Sequence, residues 1–390
     1  MPQLTNLTWT DALLLGMGVL LFMQLLYHLI IYNGVNRLYR KSRAGKITYT
    51  DEQPPISVIL YHDGPVEYLK RCLPALLAQD YPAFEVIVVS DAKSSDSVDY
   101  LSLMEVEYPR LYHSFLPDVT RWLGRKKLAL NLGVRASKNE WLVFTEPYCC
   151  PESDQWLKLM ARNFTSQTEI VLGFSGYERG KGWTHRNVCF DNLFRSLRFL
   201  GMGILNLPYM GIGKNLAYRK ELFLKHKGYA AHLDLLWGDD DLFVNEVANS
   251  CNTRVEVDPK ATMRMERIIN RKIWRSEHLG YESTSHHFRG MQRFLLGFET
   301  FSRILFFLSC MAALVWGILT CQWLLIVVSV GCLLLRFVSL SFIINKSVNT
   351  LGEKHHFYFT LPLFDIKQPF DSLYWKLAYL FADKRDFKRH

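Results

Sequence analysis

Three adjacent carboxylates, Asp239, Asp240 and Asp241, stand at the head of a stretch whose Leu242, Val244 and Val247 recur at helical spacing. Crowded acids raise one another's pKa, which suits a carboxylate that must take a proton near neutrality. The same placement caps a helix and meets its positive end, worth about 1 kcal/mol and compatible with chemistry. Two further acids follow apolar runs. Glu146 comes after residues 141–145, WLVFT, and Asp91 after residues 84–90, FEVIVVS. A carboxylate at a strand end can accept a donor that water would otherwise satisfy; a turn or helix-capping aspartate is the plainer reading of Asp91. The cations are as clustered as the acids. Lys126 and Lys127 open a basic amphipathic stretch, and Arg264, Arg267, Arg271, Lys272 and Arg275 crowd a later one.

These residues need a scaffold that brings distant strand ends together. Residues 56–61, 84–90 and 141–145 are short, nearly continuous hydrophobic runs, the pattern of strands buried on both faces in a parallel sheet. Between the first two, residues 66–79 place Leu69, Cys72, Leu73, Leu76 and Leu77 at helical spacing, so the order strand, helix, strand implies a parallel pair. In open sheets of this class the ligand sits outside the carboxyl ends of the strands, where Asp91 and Glu146 lie. A helix over 124–139, a strand over 170–174, a helical stretch over 187–207, a glycine-shaped loop and strand over 211–218, and a short strand over 254–258 complete the reading. No GxGxxG opens a helix after these strands and no GxxxxGK[ST] occurs, which counts against dinucleotide and P-loop sites.

Three apolar blocks exceed what this core needs. Residues 13–32 carry no acid or base except His28 and are long enough to cross about 30 Å of hydrocarbon. No Lys or Arg precedes them and no small-residue cleavage site follows, so they read as a retained anchor rather than a signal peptide. Residues 304–320 and 323–344 read as a hairpin through the bilayer, with Arg336 snorkelling toward an interface in preference to facing a neighbouring helix or lipid. Basic residues after the first run, before the second and after the third predict a cytoplasmic middle region and tail. The formal charge of +9 is accounted for by this bias, and no spacing suggests nucleic-acid binding. Eight cysteines show no pairing pattern, which fits reduced thiols.

The strand ISVIL, the acid after VIVVS, the KKLALN helix start, the WLVFT strand, the GIGKNLAYR loop and the WGDDD cluster occur together in this order. In that order the chain resembles the membrane-anchored family 2 glycosyltransferases of the glycosyltransferase A fold, particularly the bacterial branch with one N-terminal and two C-terminal spans. The resemblance implies a Rossmann-like α/β domain with a mostly parallel sheet and three transmembrane helices. It divides the chain into an anchor (1–34), a basic tether (35–55), a cytoplasmic catalytic domain (56–300), a transmembrane hairpin (301–345) and a cytoplasmic or interfacial tail (346–390). It also implies an inverting transfer, from a nucleotide-diphosphate sugar to a lipid-linked or cell-envelope saccharide acceptor, at the cytoplasmic face of the inner membrane. By position, Asp240 would be the general base, flanked by Asp239 and Asp241. Asp91 would meet the nucleotide base, with Tyr61, Asp63 and Glu67 lining the same pocket. Lys126 would neutralise the diphosphate, and Gly213, Asn215 and Tyr218 would shape the acceptor side.

Two departures bear on the diphosphate. The family's Asp-x-Asp, which holds Mg²⁺ or Mn²⁺, reads Glu146-Pro147-Tyr148 here, and its Gln-x-x-Arg-Trp motif is missing. Either Glu146 alone still serves a divalent metal, or side-chain cations such as Arg271 and Arg275 replace it. A catalytically impaired membrane scaffold or saccharide-binding protein is the alternative to an active enzyme.

Overall fold

The computed structural model describes residues 9–91, 95–116, 124–266 and 271–382. Among the described residues, ten strands occur in chain order: β1 (Ile56–His62), β2 (Phe84–Asp91), β3 (Leu111–Leu116), β4 (Trp141–Phe144), β5 (Cys149–Pro151), β6 (Ile170–Leu172), β7 (Ser175–Tyr177), β8 (Leu216–Arg219), β9 (Thr253–Val255) and β10 (Met263–Met265). The helices are α1 (Trp9–Tyr27), α2 (Gly34–Arg43), α3 (Val66–Leu77), α4 (Ser95–Glu107), α5 (Arg125–Ala136), α6 (Trp156–Ala161), α7 (Trp183–Ile204), α8 (Lys220–Lys225), α9 (Asp241–Val247), α10 (Arg271–Ser285), α11 (Met291–Leu319), α12 (Trp323–Leu351) and α13 (Leu361–Leu380).

Seven strands form one sheet in the order β3-β2-β1-β4-β8-β6-β9. The first four are mutually parallel, and β8 enters antiparallel between β4 and β6. All seven residues of β1 are buried, the consequence of a central strand covered on both faces. Helix α5 presses against it so closely that a Cβ at Gly133 would lie 2.6 Å from Ile59 Cγ2, and only glycine fits there. The mixed sheet and its covering helices are the expected α/β architecture. What the sequence pattern missed is β3, whose burial is irregular at the sheet edge, and a second small sheet of β5, β10 and β7. Strands of three residues are too short to show a period.

Among the described residues, three helices are long and apolar enough to cross a membrane: the stretch Trp9–Arg43, α11 and α12. The first runs on from α1 through one π turn (His28–Tyr32) into α2, so residues 34–43 continue the helix. At that junction α7 comes very near, and a Cβ at Gly201 would stand 2.4 Å from the Ile31 carbonyl oxygen. The α/β domain is thereby packed directly on the first apolar helix.

Arg336 does not snorkel. It is buried, ion-paired with Asp365 of α13, and its Nη2 donates to Gln24 Oε1 at 3.2 Å, while Arg303 reaches the same aspartate at 3.4 Å. A guanidinium among apolar helices needs a counter-charge, and Asp365 comes from the tail, beyond anything the span's own sequence could reveal. The cysteine expectation also needs correction. Cys72 and Cys150 form a disulfide with Cα atoms 4.7 Å apart, tying α3 to β5, and the other six thiols are free.

Candidate active site

The site is built at the N-terminus of α5, where three consecutive cations point to three different partners. Positive side chains oppose the dipole at a helix start, so each requires compensation. Arg125 forks onto Asp91 at the end of β2, its Nε donating to Oδ2 at 2.8 Å. Lys126 lies between two carboxylates, 2.6 Å from Glu146 Oε1 and 2.9 Å from Asp239 Oδ2. Lys127 is buried and donates to the carbonyls of His232, Leu235 and Trp237 at 2.5, 2.9 and 2.7 Å. It therefore ties down the segment leading into the acid cluster. Desolvation works against the charge of Lys126, but Asp239, Glu146 and Asp240 together outweigh it and raise its pKa well above the usual value.

The acids divide by their partners. Gly238, at φ +97°, takes a left-handed conformation that lets the chain turn from Trp237 into Asp239. Asp239 is nearly buried against Lys126. Asp240 is the N-cap of α9, its Oδ1 accepting from the Asp241 amide at 2.8 Å and its Oδ2 from the Gly213 amide at 2.7 Å. Burial first, and Asp239 next, raise its pKa. Asp241 turns inward, accepting from the Leu242 amide at 2.7 Å and from the Thr284 hydroxyl of α10, and burial with the neighbouring Asp240 carries it up to about 7.

Two cavities of about 540 Å³ each meet across Lys126. One includes Asp91 and Arg125; the other includes Glu146, Tyr148 and Asp240; Tyr61, Asp63, Lys126, Trp237 and Asp239 line both. The second is walled by α7 and α10. There His278 bridges the Trp274 carbonyl at 2.9 Å and Asp191 at 3.0 Å, and Arg195 lies 3.3 Å from the same aspartate. Burial alone would raise Asp191, yet the neighbouring His278 and Arg195 take its carboxyl down to about 2. Lys214 projects from the 211–215 loop to Glu277 at 3.3 Å and over the Tyr148 ring. A floor of opposed charges under a half-open cleft suits a polar, charged ligand.

Residues 56–226 match the family model of Glycosyl transferase family 2. The chain contains a glycosyl transferase family 2 domain. Its fold is similar to that of the mannosyltransferase PcManGT from Pyrobaculum calidifontis, solved in complex with GDP-Man and Mn²⁺, with a TM-score of 0.52 and 14% identity over 94% of this chain and 99% of that one. The S. aureus TarS structure has a TM-score of 0.42 and 18% identity, over 64% of this chain and 42% of that one. No curated protein matches.

In this glycosyltransferase the residues singled out by sequence fall into three groups. Tyr61, Asp63, Lys126, Glu146, Tyr148, Asp239, Asp240 and Asp241 line the cleft, Asp91 lines the adjoining cavity, and Gly213 meets Asp240. Others are elsewhere. Glu67 is exposed on the solvent face of α3, outside both cavities. Arg275 is exposed on α10, whose cleft-facing side presents Trp274, Glu277, His278, Tyr281 and Thr284 instead. Asn215 is a buried structural knot, accepting from Trp156 Nε1 at 3.0 Å and donating to the Phe174 and Ala261 carbonyls at 2.7 and 2.9 Å. Tyr218 is buried in an aromatic cluster with Phe144, Phe223 and Phe243, its hydroxyl 3.2 Å from that of Tyr229. Arg264 is likewise buried and paired with Glu152. Arg271 begins α10 with its side chain outside the described residues, as is Arg267. Arg125, Lys214, Asp191, Arg195, Glu277 and His278 were missed. For α10 the signal was present, since 274, 277, 278, 281 and 284 share one helical face, but the basic composition of the segment masked it.

Proposed function

We propose that the chain is an inverting glycosyltransferase that moves a sugar from a nucleotide-diphosphate donor to a saccharide or lipid-linked acceptor at the cytoplasmic face of the inner membrane, as a step in building cell-envelope polysaccharide. The observation that carries this is the Lys126 junction, where a cavity bordered by Asp91 and a cavity bordered by Asp240 share one wall. The nucleotide lies on the Asp91 side, with Arg125 fixing the carboxylate that accepts the base's N–H. The diphosphate lies at the start of α5, where the helix dipole and Lys126 meet its charge. The acceptor enters between α7 and α10. Its hydroxyl proton passes to Asp240 as its oxygen attacks the anomeric carbon, and the bond to the diphosphate oxygen breaks on the opposite face, releasing nucleoside diphosphate.

The donor set does not suit a divalent ion as a resident cofactor. A hard dication wants several oxygen ligands, whereas Glu146 and Asp239 already converge on the Lys126 ammonium and Tyr148 stands at the position of the family's second carboxylate. In this reading the lysine supplies the positive charge that a metal supplies in Mn²⁺-bound relatives.

Asp240→Asn in the purified full-length protein tests the assignment. Binding of the nucleotide sugar should persist while turnover falls by roughly 10²- to 10⁴-fold, the usual contribution of a positioned base. Turnover equal to that of the wild type would remove Asp240 from the role. A wild-type protein that neither binds nor hydrolyses any nucleotide sugar would remove the function.

A further inference from the structure

Away from the cleft, helix α7 carries His185 and Cys189 four residues apart, hence on one face, and the chain leaving α12 brings His355 onto them. One ligand atom from each lies within 4.8 Å of the other two. The two imidazole rings meet edge to face with centroids 5.2 Å apart. Gly180 makes room for this approach, because a Cβ there would fall 2.4 Å from the His185 ring. The arrangement leaves polar capacity unused: His185 Nε2 is buried and has no hydrogen-bond partner among the described residues, and Cys189 is buried as a free thiol. His355 Nε2 accepts a long contact of 3.4 Å from the Gly180 amide.

We propose that His185, Cys189 and His355 form a zinc site that clips α7 to the segment following the third apolar helix. One thiolate and two imidazoles form a ligand set that suits Zn²⁺, with Zn–N near 2.0–2.1 Å and Zn–S near 2.3 Å, so ligand atoms would stand roughly 3.3–3.7 Å apart. Closing the present spacing takes a movement of about 1 Å, within reach of side-chain rotation for two half-buried histidines. Burial disfavours the imidazolium form of both rings, with His185, Arg186 and Arg179 adding to the effect at His355. Burial, with the buried carboxyl of Glu353 adding to it, opposes ionisation of Cys189, so binding must release the thiol proton to solvent. The fourth position is left for water. The clip has a mechanical meaning: α7 also carries Asp191, Asn192 and Arg195 of the cleft lining, so fastening it to the membrane-proximal chain fixes the acceptor wall.

The test uses full-length protein in detergent, purified without a polyhistidine tag. Metal analysis should find close to one equivalent of zinc. Exchange for Co²⁺ should give a thiolate-to-cobalt charge-transfer band that is lost in Cys189→Ser, retained in Cys251→Ser, and weakened with loss of most metal in His355→Ala. Wild-type protein that holds no zinc after zinc-supplemented growth and shows no such band overturns the proposal, whatever the variants do. So does a band that persists unchanged in Cys189→Ser. A chelator should lower the thermal midpoint of the wild type but not that of folded His355→Ala; equal shifts in both would place the metal elsewhere.

Discussion

Replacing Lys126 by Met would leave Glu146 and Asp239 facing each other with no cation between them. At 2.6 and 2.9 Å, and with an effective dielectric constant near 20, the ammonium attracts each carboxylate by about 6 kcal/mol before desolvation and mutual acid repulsion are charged against it. Breaking a buried pair costs about 3–5 kcal/mol, and the Lys126 side chain is 30% exposed, so solvent screening brings the expected loss to about 2–3 kcal/mol. If that charge is the one that meets the departing diphosphate, the same figure appears in the barrier as a rate loss of about 30- to 160-fold. The assay is release of nucleoside diphosphate from a donor sugar, run in excess chelator and again with Mn²⁺. Wild-type protein should turn over in chelator. Lys126→Met should be slow there and recover in part with Mn²⁺, because the two freed carboxylates then offer oxygen ligands to a dication. The reasoning fails if wild-type turnover stops in chelator and returns only with Mn²⁺, or if the variant matches the wild type without metal.

Lys127→Met should act differently from its neighbour, since its ammonium touches only backbone carbonyls. Three carbonyls left without their donor should lower stability by about 3 kcal/mol, read as a drop in the unfolding midpoint, and an unchanged midpoint would show that the 232–237 segment does not depend on that lysine. Asp241 predicts a pH dependence. Its folded pKa of about 7 stands above the ordinary 3.8, so the folded state keeps a proton that the unfolded chain releases. The stability this contributes is complete below pH about 4 and disappears as pH rises through about 7. The thermal midpoint should fall across that window in the wild type, and Asp241→Asn should flatten the decline; parallel curves would count against it.

Much of the scaffold was legible because periodicity is a local property. The fully buried strands β1 and β4 are nearly continuous apolar runs, and their polar ends locate the site at one edge of the sheet. The lengths of the apolar helices and the acid cluster at the start of α9 were equally local. Pairing was not. Lys126 and Lys127 are neighbours of the same residue type, yet one enters the cleft and the other anchors a loop, because the helix rotates them by about 100° onto different surroundings. Asn215 and Tyr218 looked available for ligand and are consumed by packing, while Asp191, His278 and Lys214 gain their place from helices and loops far apart in sequence. Arg336 met the same fate, its charge answered by Asp365 29 residues away.

The amino-acid order alone thus determined which segments are strands, which helices are apolar enough for a membrane, and which side chains could carry charge to the strand ends. Only the tertiary structure decided which charges neutralise one another, since partners such as Lys126 and Asp239, Arg125 and Asp91, or Cys72 and Cys150 are set by where the sheet brings the chain back together. Secondary structure answers to neighbours within a few residues, whereas ion pairs, bridges and clefts answer to distances that exist only once the core has closed.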